Sequence, residues 1–313
     1  MSATALLALA VLLAWPVPRV LARMTAFRRA PRPALVVWQA TTVAAVLAAL
    51  FAAPAGVGRW AGSQSGPGRT VALGLAVLVT AVVAARLLLS GHRVGRRLRA
   101  VRRTHRELVD LLGLPTTDEQ VEAATAREPR TGRTPRPGGV TAGQLRVLDH
   151  PTPTAYCVPG LRRRVVVTRG ALDLLPADEV RAVIAHERAH LAARHDLVAE
   201  FFTVVHEAVP GFVRSPEALT EVNLLIEVLA DRSAVHATSA VTTGRAIVRM
   251  AGGPKPSGTM AVREGPSAAR VRIELLDARR VAGIPTGVVA VGMYAFAAGL
   301  LAVPVGLLSL ALA

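Results

Sequence analysis

His186-Glu187-Arg188-Ala189-His190 places two imidazoles four residues apart with a carboxylate between them. On an α-helix, side chains four apart share a face, so both imidazoles can reach one Zn²⁺. Glu187 then stands one step round, within reach of a proton on a metal-bound water. The chain has only eight histidines in 313 residues, so composition alone does not account for this spacing. A helix must present the motif. Pro176 suits a first helical position, and Asp178 and Glu179 set negative charge at the positive end of the helix dipole. Val180, Val183, Ile184 and Leu191 recur at helical spacing and give an apolar side. The pattern predicts one helix from residue 177 to about 202.

A catalytic zinc keeps three protein ligands and one open position. A metzincin continuation would need Gly at 193 and His at 196, where the chain has Ala193 and Asp196. His195 follows His186 by nine residues, about 900° round a continuous helix, and so faces the other way. Neither His195 nor Asp196 is well placed unless the helix bends. Glu227-Val228-Leu229-Ala230-Asp231 offers a better third ligand, Glu227. Glu227 and Asp231 share a helix face, so one can bind metal while the other orients a ligand imidazole. Leu224, Leu225, Ile226, Val228 and Leu229 predict that this helix, residues 217–235, is buried, where acids require partners.

Mean hydropathy is +0.42, with 52% hydrophobic but only 4% aromatic residues. The excess lies in four runs: residues 1–18, 33–58 and 281–313 carry no charge, and 70–85 is uncharged up to Arg86. About 20 apolar residues cross a bilayer. The runs predict transmembrane helices over 1–21, 33–54, 70–90 and 281–313, the third with Arg86 reaching towards the headgroups. The first run has no basic segment before it, and Arg19 and Arg23 follow it, which suits an uncleaved span with its N-terminus outside.

Arginine distribution orients the spans. Arg19, Arg23, Arg28, Arg29 and Arg32 lie between the first two, and seven arginines from Arg93 to Arg106 follow the third. Arg279 and Arg280 precede the fourth, whereas only Arg59 and Arg69 lie between the second and third. Both termini are expected outside and residues 91–280 in the cytoplasm. The net charge of +16 would ordinarily suggest nucleic acid. Here anionic lipid and membrane topology already account for the arginines, and no nucleic-acid motif is present, so no such partner is expected. Cys157 is the single cysteine and forms no internal disulfide, as suits a reducing compartment.

Residues 91–143 read as a basic helix continuing from the third span, then a Pro/Gly-rich flexible connection over 128–143. A cytoplasmic domain follows over 144–280. Residues 144–148 and 164–168 are short β-rich runs, the second with Val165, Val166 and Val167 in succession. Ala155-Tyr156-Cys157-Val158-Pro159-Gly160 between them reads as an edge strand ending in a turn. Residues 252–267 are again Gly/Pro-rich.

His186-Glu187-x-x-His190, then His195-Asp196 and Glu227-x-x-x-Asp231, resembles the integral-membrane gluzincin peptidases. These include the HtpX-like peptidases and the BlaR/MecR-type antibiotic-signal transducers. The likeness is greatest to the short actinobacterial BlaR/MecR-like form and is most specific over residues 155–235. It implies a mainly α integral membrane protein, with four transmembrane helices and a cytoplasmic α+β zincin-type peptidase domain. It implies one Zn²⁺ per chain on His186, His190 and Glu227, Glu187 as general base, and Asp231 behind the ligands. A substrate peptide would add as a strand beside Tyr156, Cys157 and Val158. His236, Arg270 and Arg272 stay open as stabilisers of the developing oxyanion. The antibiotic receptors continue into an extracellular penicillin-binding domain, whereas this chain stops at Ala313, so direct β-lactam sensing is not expected. The expected partners are a protein or peptide substrate and the lipid bilayer. Repressor cleavage in signalling, HtpX-like membrane-protein quality control and a non-catalytic receptor or scaffold all remain open uses of such a domain.

Overall fold

The computed structural model describes residues 2–60, 66–115, 144–160, 163–211, 214–251, 266–276, 280–281 and 283–312. The Pro/Gly-rich stretch 128–143 and most of 252–267 lie outside the described residues. Helices α1 (Ser2–Ala14) and α2 (Pro16–Arg23) divide the first apolar run at Pro16, whose ring cannot continue a helix ladder. A 3₁₀ turn, Thr25–Arg29, leads into α3 (Pro31–Trp60). Helix α4 (Pro67–Leu112) carries the third apolar run and the basic stretch without interruption. Four strands follow in the chain: β1 (Gly113–Pro115), β2 (Leu145–Leu148), β3 (Ala155–Val158) and β4 (Arg164–Thr168). Then come α5 (Arg169–Leu174), α6 (Ala177–Ala192), α7 (His195–Ala208), α8 (Pro216–Ala237), α9 (Ala240–Met250) and α10 (Pro266–Leu275). A two-stranded ribbon, β5 (Arg280–Val281) with β6 (Ile284–Pro285), precedes α11 (Thr286–Leu312).

The chain divides into two compact units. The first holds Met1–Val94, Phe201–Val222 and Arg279–Ala313. Among the described residues four helical stretches, Ala3–Arg23, Pro31–Val57, Thr70–Glu107 and Thr286–Leu312, are long and apolar enough to cross a membrane, the third running on past the end of this unit at Val94. Helix α3 packs against α1 and α11 through Ala48, Ala52 and Ala55, with Leu6, Ala76 and Ala311 in the same buried cluster. Small residues let helix backbones approach where apolar burial gives no net drive. The Thr80 hydroxyl donates to the Ala49 carbonyl at 2.9 Å, so it is not left unsatisfied in an apolar layer. The last span begins at Thr286 and not at 281, because the β5–β6 ribbon, turning at Gly283 with φ +83°, takes the intervening residues.

The second unit, Gly95–Glu200 with Asn223–Ala278, contains a four-stranded sheet of order β1-β2-β4-β3. Strands β2 and β4 are parallel and the other pairs antiparallel, which leaves β3 at an edge. Alternation along the strands separates two faces. Ala155, Cys157, Val165 and Val167 pack with Val180, Ile184 and Leu191 of α6, while Tyr156, Val158 and Val166 pack with Val109 of α4. Thus the motif helix lies on one face of the sheet and the basic helix on the other. Gly170 opens α5 where a Cβ would collide with the Pro151 carbonyl, so only glycine fits. Strand β1 is absent from the sequence reading, since three residues show no period.

The single helix predicted over 177–202 is in fact two. Ala193 closes α6 on the Ala189 carbonyl at 3.0 Å, and Arg194 takes a left-handed conformation with φ 51°. The turn folds His195 inward, where it is 4% exposed, and starts α7 in a new direction. Asp196 and Glu200, on the first turns of α7, both reach Arg102 of α4, at 3.7 and 3.3 Å.

Candidate metal centre

Two helices supply the site. The same face of α6 carries His186 and His190, and α8 brings Glu227 opposite them. One donor atom from each lies within 4.8 Å of the others. The separations are 3.0 Å between the two Nε2 atoms, 3.3 Å from His186 Nε2 to Glu227 Oε2 and 3.5 Å from His190 Nε2 to Glu227 Oε1. Ligands about 2.0–2.1 Å from a tetrahedral zinc stand about 3.3–3.4 Å apart, so this triangle fits such an ion. Glu227 Oε2 is buried and, among the described residues, has no well-formed hydrogen bond, His186 Nε2 and an Arg272 nitrogen standing 3.3 and 3.2 Å away. A buried carboxylate oxygen left over in this way suits a cation.

Each imidazole has a partner behind it. His186 Nδ1 lies 2.9 Å from Asp231 Oδ1, one turn along α8 from Glu227. Asp231 in turn accepts two hydrogen bonds from Arg272 of α10, at 2.7 and 2.6 Å, and Arg272 also lies 3.2 Å from Glu227. His190 Nδ1 meets His195 Nδ1 at 3.1 Å. Burial works to depress the His186 pKa, but the hydrogen bond to Asp231, the Glu227 carboxylate close by and the charges of both acids overcome it and lift the group to about 10. His190 is pushed down to about 4 by burial, with the charges of His186 and Arg272 adding to the effect. Burial and the neighbouring His190 bring His195 down to about 3. Burial opposes ionisation of Glu227 and Asp231, yet the surrounding histidines and Arg272 hold both below the usual carboxylate range.

The imidazole contacts and the directions of these shifts are matched by the following proton arrangement. His186 carries protons on both nitrogens and donates to Asp231 and to His190 Nε2. His190 is neutral and donates from Nδ1 to His195, whose own Nδ1 accepts. Removing the proton from His186 Nε2 leaves the two Nε2 lone pairs and Glu227 directed at one point.

Glu187 lies on α6 beside edge strand β3, and the Cys157 thiol forms a hydrogen bond to its carboxylate. Burial, then the Glu187 charge and that hydrogen bond, push the thiol well up, so it stays protonated and donates. Tyr156, Cys157 and Val158 are all buried, and β3 pairs only with β4 among the described residues.

The structure sorts the alternatives raised by the sequence. Asp196 is turned to Arg102 and lies outside the triad. Of the three side chains considered for the oxyanion, Arg270 is exposed in an ion pair with Glu274 at 2.9 Å and His236 is exposed near the end of α8. Arg272 alone reaches the cluster, and it binds Asp231 and Glu227. His195, placed by helical geometry on the far side of a continuous helix, is instead in contact with a candidate ligand. Nothing in Ala193-Arg194 announces the break, because arginine has no preference for a left-handed turn.

Residues 115–246 match the model of Peptidase family M48. A protease HtpX homolog of Thermoplasma acidophilum is 49% identical over 47 residues, and one of Aeropyrum pernix is 53% identical over 47 residues. Each alignment covers 15% of this chain and 15% of the relative. No solved structure matches. The stretch 115–246 contains His186, Glu187, His190, Glu227 and Asp231, while Arg272 lies beyond its end. The chain therefore carries a Peptidase family M48 domain with the His186-His190-Glu227 triad inside it, in a protein with four membrane-type helices.

Proposed function

We propose that the protein is a membrane-embedded zinc endopeptidase that hydrolyses peptide bonds of protein substrates at the cytoplasmic face. The triangle of His186, His190 and Glu227, with its orphaned Glu227 oxygen, is the observation that carries this reading. The M48 match and the name protease borne by both curated relatives support it. His186, His190 and Glu227 would hold the zinc, which when bound would supply a Lewis acid for a water and the scissile carbonyl. Glu187 takes a proton from that water and returns it to the leaving amine. Cys157 donates to the Glu187 carboxylate and steadies the base. Asp231 fixes the His186 ring, and Arg272 balances the two acids so that both remain ionised in a buried site. A substrate strand pairs with the edge of β3 away from β4, which has no partner strand among the described residues. The excess of arginines around residues 19–32 and 93–106 supports a cytoplasmic peptidase domain. The resemblance to the BlaR/MecR-type transducers supports a transcriptional repressor as one substrate.

Glu187→Gln tests the assignment. The variant is expected to keep its metal, by elemental analysis, and to lose about 10²–10⁴-fold in peptide cleavage. Undiminished cleavage by Glu187→Gln at full metal content rules out Glu187 as the base.

A further inference from the structure

The first unit contains a cavity of about 490 Å³ that the peptidase reading does not use. It runs between α1, α3, α4 and residues 202–219, the end of α7 and the start of α8, all within that unit. Along α4 it extends from Leu75 to Leu87, about 18 Å at the helical rise. That is close to the depth of one leaflet's hydrocarbon, about 15 Å. The cavity is graded along its length. Gly56 of α3 approaches Ala3 and Leu73 near one end, and Leu7, Ala49 and Leu75 line the walls there. Trp15, Thr42, Arg86, His206 and Arg214 line the other.

Two guanidinium groups, those of Arg86 and Arg214, line this second end, and Arg19 is hydrogen-bonded to the Arg214 backbone. Arg86 donates from Nε to the Ala208 carbonyl, and Arg19 donates to the carbonyls of Trp15 and Arg214 at 2.7 and 3.3 Å. Arg214 donates from Nη2 to the Val209 and Glu207 carbonyls at 3.1 and 3.4 Å, while its Nε is buried with no acceptor among the described residues. Each guanidinium has five N–H donors, so these contacts leave donors over. Among the described residues no carboxylate forms an ion pair with Arg19, Arg86 or Arg214. Glu217, which accepts from Ser215 at 2.8 Å, is the acid whose charge Arg19 and Arg23 influence. The mouth is thus cationic, amphipathic at Trp15, and joined to an apolar bore one leaflet deep.

We infer that this cavity is a binding site for one anionic phospholipid, its acyl chain between α1, α3 and α4 and its phosphate on Arg86 and Arg214. A zwitterionic lipid fills the bore equally well but leaves the cationic mouth uncompensated. A polypeptide helix, about 10 Å across with its side chains, would need a wider gap than a bore for a single chain.

Trp15 lines the mouth and reports directly on an acyl chain. The full-length protein carrying Trp38→Phe and Trp60→Phe is reconstituted into vesicles with brominated phosphatidylglycerol or brominated phosphatidylcholine. Half-maximal quenching of Trp15 is expected at about tenfold lower mole fraction of the anionic lipid. Arg86→Gln with Arg214→Gln removes that preference. Ala45→Phe, which fills the bore and leaves the arginines intact, reduces quenching by both lipids. Equal quenching by the two lipids in the parent protein, or a preference that survives the arginine substitutions, overturns the inference. So does a photo-crosslinker at Val79 that captures polypeptide in place of lipid. None of these readouts depends on peptide cleavage.

Discussion

His186 and His190 stand one turn apart on α6 yet are held by opposite chemistries. Behind His186 lie charges: Asp231, then Arg272, in contacts of 2.6–2.9 Å. Behind His190 lies a neutral, buried imidazole, His195, at 3.1 Å. Both arrangements fix a ring and keep its Nδ1 proton, leaving Nε2 to face Glu227. They differ in what they do to basicity. The acid side raises the imidazole to about 10, and the neutral side leaves its imidazole at about 4. The candidate metal site therefore has one imidazole that holds its second proton firmly and one that has already given it up. The orienting effect of a partner and its charge are separable here, because two residues of the same type show them apart.

The acid side is the more vulnerable. Arg272→Gln leaves two buried acids, Asp231 and Glu227, with the single charge of His186 to offset them, and breaking a buried ion pair in this way costs about 3–5 kcal/mol. The unfolding midpoint is expected to fall sharply, together with metal content. Arg270→Gln is the matched control two residues away, since its ion pair with Glu274 is exposed and such pairs contribute little. If the two variants melt alike, Arg272 is not what holds the acid side together.

Loss on the neutral side should be milder. His195→Ala removes the acceptor for His190 Nδ1 but strands no charge. Metal affinity is expected to fall about 10–100-fold, as for other groups behind a metal ligand, with the fold intact. His195→Asn restores a side-chain acceptor and should recover much of the affinity, measured by competition with a chromophoric chelator. A defect in His195→Asn equal to that of alanine would show that His195 acts through packing and not through the hydrogen bond.

How far the sequence discloses this asymmetry differs between its halves. Glu227 and Asp231 are four apart in an apolar helix, so helical period alone pairs them and sets one behind the other. The acid side was therefore legible, except for Arg272, which no local pattern distinguishes from Arg270; only the fold brings α10 to α8. His195 was misplaced because the break at Arg194 follows from tertiary contacts, the burial of His195 and the pull of Arg102 on Asp196 and Glu200, and not from turn residues. The four membrane-type helices were legible from length and lack of charge. Membership of Phe201–Val222 in the first unit was not, because it rests on contacts such as Ser90 Oγ donating to the Val204 carbonyl at 2.7 Å, between segments far apart in the chain.

The smallest expected effect is also the one that compares the two imidazoles most directly. Between pH 6 and 8 the metal-free site carries the additional, titrating proton on His186 and not on His190, given their positions at about 10 and 4. Metal must displace that proton, so affinity falls as pH falls and rises about tenfold per pH unit over this range. The rise levels off only as pH approaches the His186 value. Calorimetry of zinc binding at pH 8, in buffers of different ionisation enthalpy, should show release of about one proton per ion from the protein. Two ordinary imidazoles, each with a pKa of about 6.5, would release almost none at that pH. Zero release at pH 8 would mean that Asp231 orients His186 without charging it, and that the two sides of the cluster are alike after all.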